Sequence, residues 1–156
     1  MKFLGISFSK YKGEVIVTVH PKSILKMKNK IKELTARSNG WSNLKRIEKL
    51  KLYIRGWVNY FKIASMKSLV INIDKWMRRR IRMIYWKQWK TIRTRYTMLK
   101  QLGVKENKAW EHANTRKSYW HTADSPILET TLKNNVLKQL GYLFFYDYYK
   151  TVTAVN

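Results

Sequence analysis

The residues best suited to a chemical role lie in the stretch WMRRRIRMIYWKQWK, residues 76–90. Its fifteen residues include six cationic and four aromatic side chains and no acid. Arg and Lys bind phosphate groups, aromatic rings stack on bases, and a carboxylate would repel the phosphate backbone. This composition indicates that the stretch binds a nucleic acid.

The same stretch belongs to a long predicted helix whose charges fall on one side. At about 100° per residue, the apolar arc is formed by Leu69, Val70, Ile73, Trp76, Met77, Ile81 and Ile84. The opposite side carries Lys75, Arg78, Arg79, Arg82, Trp86 and Trp89. Arg80 projects onto the apolar arc, so we expect it to lie at the edge of the core or to bind an acid.

Two interpretations of the charged side stay open at this point. In the first, the arginines are solvated and Trp86 and Trp89 are buried against the next segment, which is the usual fate of tryptophan. In the second, the side faces phosphates. A solvated surface has no need to exclude acids, so the second interpretation is favoured for the side as a whole, while burial is slightly favoured for each indole alone.

The charge of the whole chain points in the same direction. Lys and Arg number 33 against nine Asp and Glu, which gives a formal charge of +24. Such self-repulsion opposes compaction unless a polyanion lies against the protein. An anionic membrane favours a single basic amphipathic helix or a polybasic run beside an apolar span, whereas these cations are spread along the chain. We therefore expect a soluble intracellular protein with a nucleic-acid partner and no membrane.

Residue types that perform catalysis are sparse. The nine acids are never closer than five positions apart, and the chain contains no Cys and only three scattered His residues. A two-metal polymerase or nuclease needs closely placed carboxylates, and no glycine-rich phosphate loop occurs. We expect no catalytic residue, no metal site and no cofactor in this chain.

The elements that must position the basic stretch follow from turn residues and apolar spacing. Two strands, 3–9 and 14–19, form a hairpin around Gly13. The predicted helices run from Pro21 to the breaker at 38–40, from Ser42 as N-cap to about 64, from about 67 to 89, through 91–102 to Gly103, and from Ser125 and Pro126 towards Gly141. The predicted fold class is mainly α, with an N-terminal β-hairpin followed by a helical bundle and a smaller helical C-terminal region.

Gly56 is unusual because it lies inside the second predicted helix. Gly in a helix interior costs about 1 kcal/mol relative to Ala, so we expect a packing reason. Close approach of a neighbouring helix is the commoner cause, and close approach of a backbone phosphate is the alternative.

Five segments, taken in order, resemble the C-terminal part of group II intron-encoded reverse transcriptases, the maturase proteins. They are FLGISFSKYKG, VHPKS, LYIRGWVNYFKIASMKS, DKWMRRRIRMIYWKQWK and RKSYWHTADSPIL. The most specific pieces are RGW-NYF at 55–61 and the Trp- and Arg-rich run at 76–90. The resemblance covers nearly the whole chain.

The resemblance implies three regions and a set of roles. Residues 1–20 would be the hairpin that ends a reverse transcriptase palm, 21–100 the thumb or domain X helical bundle, and 101–156 a basic nucleic-acid-binding region. Phosphate contacts would come from Arg55, Arg78, Arg79, Arg82, Lys87, Lys90, Arg93, Arg95, Arg116 and Lys117. Stacking or groove-lining residues would be Trp86, Trp89, Tyr119 and Trp120, and core packing residues would be Gly56, Trp57, Tyr60, Phe61 and Trp76.

Departures from the family pattern limit the expected activity. The fingers and the palm, with its YADD-type metal-binding acids, would precede Met1, so by resemblance this chain does not polymerise alone. The cysteine-bound endonuclease domain of some relatives has no counterpart here either.

Three functions stay open at this stage. The first is a maturase-type fragment that binds structured group II intron RNA and assists splicing, in a bacterial cytoplasm or an organelle. The second is the processivity part of an RNA-directed DNA polymerase, which would hold an RNA/DNA template–primer duplex and pair with the missing palm and fingers. The third is a general basic nucleic-acid-binding protein unrelated to introns.

Overall fold

The first part of the chain forms a small antiparallel sheet. The computed structural model describes residues 2–154. Its strands are β1 Lys2–Phe3, β2 Ile6–Tyr11 and β3 Glu14–Val19, in the order β1-β2-β3. β2 and β3 pair from Ile6 with Val19 to Tyr11 with Glu14. Lys12 and Gly13 between them have φ values of 49° and 83°, which a two-residue hairpin turn of this hand requires. The predicted hairpin is confirmed, with β1 as an added strand.

The four long helices follow the predicted order. They are α1 Pro21–Leu34, α2 Asn43–Phe61, α3 Lys67–Gln88 and α4 Ile92–Gln101. The hydroxyls of Ser42 and Thr91 accept the backbone N–H groups of Lys45 and Thr94, which satisfies donors that the first turn leaves unpaired. Gly103, with φ of 93°, ends α4 in the left-handed conformation that favours glycine.

Five shorter helices complete the described chain. They are α5 Glu106–Ala113, α6 Tyr119–Ala123, α7 Pro126–Thr131, α8 Asn134–Gln139 and α9 Phe145–Thr153. The predicted helix from Pro126 towards Gly141 is therefore two helices, separated by Leu132 and Lys133. The mainly α fold class is confirmed. Within residues 2–154, no helix is both long and apolar enough to cross a membrane.

The chain divides into two compact units that are interleaved in sequence. Unit 1 consists of the described residues within 1–34, 41–75 and 142–156, and unit 2 consists of 35–40 and 76–141. α3 thus contributes its first nine residues, through Lys75, to unit 1 and the remainder to unit 2. The predicted boundaries after residues 20 and 100 divide the chain differently and stay a prediction.

Unit 1 packs α1, α2 and α9 around an apolar core. Met27, Leu50 and Ile54 are fully buried there, and the Trp57 ring contacts the Phe145 ring edge-on, with centroids 5.6 Å apart. The sheet is attached through its backbone. Ser65 donates its N–H to the Val17 carbonyl at 2.8 Å.

Gly5 is required at the start of this sheet. Its φ is +84°, and an added Cβ would lie 2.8 Å from the Ser23 hydroxyl oxygen, which donates to the Gly5 carbonyl at 2.9 Å. A side chain at this position would therefore meet both backbone strain and a clash.

Asp74 holds the C-terminal helix of unit 1. Its two carboxylate oxygens accept the backbone N–H groups of Phe145 and Tyr146, each at 2.9 Å. These are the first donors of α9, and the side chain of its N-cap residue, Phe144, makes no capping bond. An acid on α3 therefore supplies the cap that the local sequence lacks.

Candidate nucleic-acid interface

The second residue of the arginine run, Arg79, bonds to the protein itself. Arg79 donates from Nε and Nη2 to the carbonyl oxygen of Trp120, at 3.2 and 2.9 Å. Its guanidinium lies 3.7 Å from the centre of the Trp120 ring, and Nη1 lies 3.5 Å from an oxygen of Asp124. Most of the donors of Arg79, a predicted phosphate contact, are thus used within unit 2.

Arg82 is placed more deeply. It is 6% exposed and donates from Nε to the Ala123 carbonyl at 2.9 Å. Burial lowers the pKa of Arg82 below its ordinary value, Arg78 lowers it further, and Glu129, 3.9 Å away, opposes the shift. This burial and the bond to Ala123 do not favour a phosphate contact of Arg82, which stays a prediction.

Together these two arginines complete the end of α6. The last four carbonyls of an α-helix have no partner within the helix. In α6 the backbone N–H groups of Asp124 and Ser125 bond to the two middle carbonyls, those of His121 and Thr122. Arg79 and Arg82 bond to the outer two, so all four acceptors are satisfied. The arginine pair is a C-terminal cap that α3 supplies.

Trp86 and Trp89 are buried, at 1% and 6% exposure. Their rings meet edge-on with centroids 6.0 Å apart. The guanidinium of Arg95 lies 4.5 Å from the centre of Trp86 and donates to the Trp89 carbonyl at 2.9 Å. Neither indole has a face open to solvent, so the structure does not favour their predicted stacking or groove-lining role, which stays a prediction. The interpretation that α3 buries its indoles holds, and Arg95 covers one of them.

Two further cations of α3 fix the segment 35–40. Arg80 donates from Nε to the Thr35 hydroxyl at 2.7 Å, and burial lowers its pKa. It is partly buried, at the edge of the core where we expected it. Lys87, a predicted phosphate contact, donates to the Arg37 carbonyl at 3.0 Å. α3 thereby pins a segment that the sequence marks only as a helix breaker.

The cations that stand in solvent lie elsewhere in the predicted set. Arg78 is half-buried, whereas exposed side chains belong to Arg55, Lys90, Arg93, Arg116 and Lys117. Lys90 and Arg93 flank the start of α4, and Arg116 and Lys117 precede α6. The structure therefore separates the predicted phosphate set into internal cations and available ones.

The predicted aromatic residues before and within α6 behave differently from those of α3. Tyr119 and Trp120 are half-buried. The guanidinium of Arg37 lies 5.1 Å from the centre of the Tyr119 ring. Among the four predicted stacking residues, these two keep part of their surface in solvent.

The predicted core set is divided in the same way. Trp57 and Phe61 are buried and Trp76 is half-buried. Tyr60 is 58% exposed, because its hydroxyl reaches out to the Leu4 carbonyl at 2.8 Å. Gly56 is exposed, and an added Cβ would meet nothing within 4 Å. Core packing is therefore wrong for Tyr60 and Gly56, and both instead line an open cleft of about 680 Å³ in unit 1.

Metal-binding geometry is absent from the part of the chain that the structure describes. No three side chains among His, Asp and Glu are placed to hold an ion together there. The short contacts of Asp74, Asp124 and Glu129 go to peptide N–H groups or to arginines.

The sequence model of the family described as "Group II intron, maturase-specific domain" matches residues 24–103, just over half of the chain. The chain belongs to this family. The match begins within α1 and ends at Gly103, directly after α4. Individually curated proteins yield no match to the chain.

Some of the predicted RNA-binding residues lie inside the matched maturase-specific domain and others lie beyond it. It includes Arg55, the whole arginine run and the exposed pair Lys90 and Arg93. It excludes Arg116, Lys117, Tyr119 and Trp120. Arg37 and Ser38, which our sequence reasoning missed, lie inside it. Asp74, which the i,i+4 spacing predicts to pair with Arg78, lies inside it too. In the sequence the cations around Arg79 look alike, whereas in the structure some bond to the protein itself and others are exposed to solvent.

Proposed function

We propose that this chain binds structured group II intron RNA and assists its splicing by holding the folded RNA, in a bacterial cytoplasm or an organelle. The observation that carries the proposal is the match to the maturase-specific domain. The formal charge of +24 and the exposed cations supply the attraction to phosphate that such binding needs. No bond chemistry is required of the chain.

We assign the proposed RNA contacts to cations that solvent can reach. Phosphate contact needs donors that solvent can reach, so the proposed contacts are Arg55, Lys90, Arg93, Arg116 and Lys117, with Arg78 partly available. In this proposal, four other cations support the surface without touching the RNA, because they hydrogen-bond to the backbone of unit 2. They are Arg79, Arg82, Lys87 and Arg95.

A binding experiment tests this proposal. The full chain is titrated with a group II intron RNA and with an equally long structured RNA of scrambled sequence, over a series of salt concentrations. We expect the intron preference to survive raised salt, since contacts beyond phosphate neutralisation are retained when counterion release weakens. Equal binding to both RNAs, fading together with salt, would contradict the proposal.

Matched variants locate the contacts. The double variant K90A/R93A should weaken intron binding about tenfold or more and reduce the salt slope by about two, since each phosphate contact contributes about one. The control K10A/K12A removes the same charge from exposed lysines of the hairpin. An RNA/DNA template–primer duplex forms a third titration, and binding tighter than to the intron would favour the processivity function instead.

A further inference from the structure

An open cleft of about 410 Å³ lies in unit 2 beside the pinned segment 35–40. It is lined by Ala36, Arg37, Ser38, Arg80, Met83 and Trp120. Small-molecule sites in proteins commonly measure about 300–1,000 Å³, so the cleft can hold one nucleotide unit. Two guanidinium groups, a hydroxyl and an indole converge on it.

The cationic wall of the cleft is built in advance. Thr35 orients the Arg80 guanidinium through its hydroxyl at 2.7 Å, and Lys87 fixes the backbone of Arg37 and bonds to the Ser38 hydroxyl at 3.4 Å. The Arg37 side chain itself stays exposed. Because the backbone of Arg37 is already fixed, only side-chain freedom is lost when its guanidinium binds a phosphate, and the planar fork can form two hydrogen bonds in return.

The aromatic wall is prepared in a similar way. One neighbour of the Trp120 ring is the Arg79 guanidinium, 3.7 Å from its centre, and Arg79 also bonds to the Trp120 carbonyl. The ring is therefore held in position while part of its surface lines the cleft. Base–aromatic stacking tolerates any base, because every base has a flat π face.

The charge of the cleft selects the class of ligand. Both charged side chains that line it are arginines, and none of the six lining residues is acidic. The nearby Asp124 lies 3.5 Å from Arg79, which offsets its charge. A ligand with a negative group and a flat ring system fits this combination.

We propose that this cleft holds a single unpaired nucleotide of the bound RNA, with its phosphate at Arg37 beside Arg80 and its base against Trp120. The inference rests on the proposed function and deepens it by naming the part of the RNA that is bound. A base inside a duplex cannot reach a cleft wall, so loops, bulges and strand ends are the source of the nucleotide. The Ser38 hydroxyl is placed to bond to the sugar or the phosphate.

Binding of a single-stranded RNA hexamer by the full chain tests the proposal, with a blunt RNA duplex of equal charge and inorganic phosphate for comparison. We expect R37A to weaken hexamer binding about tenfold and duplex binding less than threefold. R37K, which keeps the charge but loses the planar fork, should retain only part of the affinity. The control is K12A, at an exposed position of the hairpin, and it should change the affinities for the hexamer and the duplex less than threefold. Equal effects of R37A and K12A would overturn the proposal.

Photocrosslinking provides a readout that needs no variant of Trp120, whose loss could disturb the stack with Arg79. A hexamer with 4-thiouridine is crosslinked to the unaltered chain and the adducts are mapped by mass spectrometry. Adducts at Trp120 or the neighbouring Tyr119 are expected, and adducts confined to other regions would overturn the site. If the chain prefers the intron but these adducts are missing, the proposed function stands and the nucleotide site is disproved. If the adducts form but the chain does not prefer the intron, the site stands and the proposed function is disproved.

Discussion

Helix α3 caps a different helix in each of the two compact units, and it uses side chains of opposite charge to do so. In unit 1, the carboxylate of Asp74 binds the peptide N–H groups that open α9. In unit 2, the guanidinium groups of Arg79 and Arg82 bind the peptide carbonyls that close α6. Each sign suits its helix end, because N–H groups at the start and carbonyls at the end are left unpaired. A run of cations is therefore not by itself a nucleic-acid surface.

The largest effect is expected at the buried cap of unit 2. Replacing Arg82 with Ala should lower the free energy of unfolding by about 3 kcal/mol, because the Ala123 carbonyl loses a charged donor and the buried stem loses its packing. Urea unfolding followed by tryptophan fluorescence measures the change. R93A, at an exposed position on α4, is the matched control. A loss no greater than that of R93A would make Arg82 dispensable to the fold.

The corresponding change in unit 1 is D74A. It removes the acceptor of two backbone N–H groups, so we expect a loss of about 2 kcal/mol and faster amide hydrogen exchange at Phe145 and Tyr146. The exposed N72A on the same helix is the control. Unchanged exchange at the start of α9 would show that its N-terminus is capped without Asp74.

Arg79 tests whether shape or charge closes α6. R79K keeps a cation but loses the fork that reaches the Trp120 carbonyl and the flat face that covers its ring. The free energy of unfolding should fall by about 1 kcal/mol. Amide hydrogen exchange should become faster in the α6 region and stay unchanged at α9. If R79K equals the unaltered protein, charge alone closes the helix.

The smallest effect belongs to the acid of unit 2. Glu129 is 51% exposed and lies 3.9 Å from Arg82, so E129Q should change stability by less than about 0.5 kcal/mol. The same urea titration detects it. A loss comparable to that of R82A would mean that Arg82 acts through its ion pair and not through the carbonyl of α6.

Local signals predicted the elements whose ends are built from neighbouring residues. Pro21, Ser42 and Gly103 mark helix ends that the structure reproduces within a few positions. α9 was missed because its start has no capping side chain of its own. Its cap comes from Asp74, 71 residues earlier in the chain, and no local pattern can reveal such a partner.

The candidate site was predictable as a class but not residue by residue. The basic charge and the family segments indicate RNA binding. A helical wheel, however, assumes that only one side of a helix packs against the rest of the protein. In α3 all six residues from Ile81 to Trp86 are buried, so polar residues on the second side also face protein. The exposed Arg37 escaped notice because it stands in a loop without periodicity.

The interleaving of the units has a consequence for synthesis at the ribosome. Asp74, Asn59 and Ala64 bond to Phe145, Tyr148 and Tyr149, which emerge 71 to 89 residues later. The core around Trp57 therefore lacks one wall until nearly the whole described chain has been translated, and this late closure favours slow folding. The segment 76–141 of unit 2 is translated before Tyr142, so until α9 follows it, unit 1 exposes the apolar surface that Phe145 covers in the folded protein.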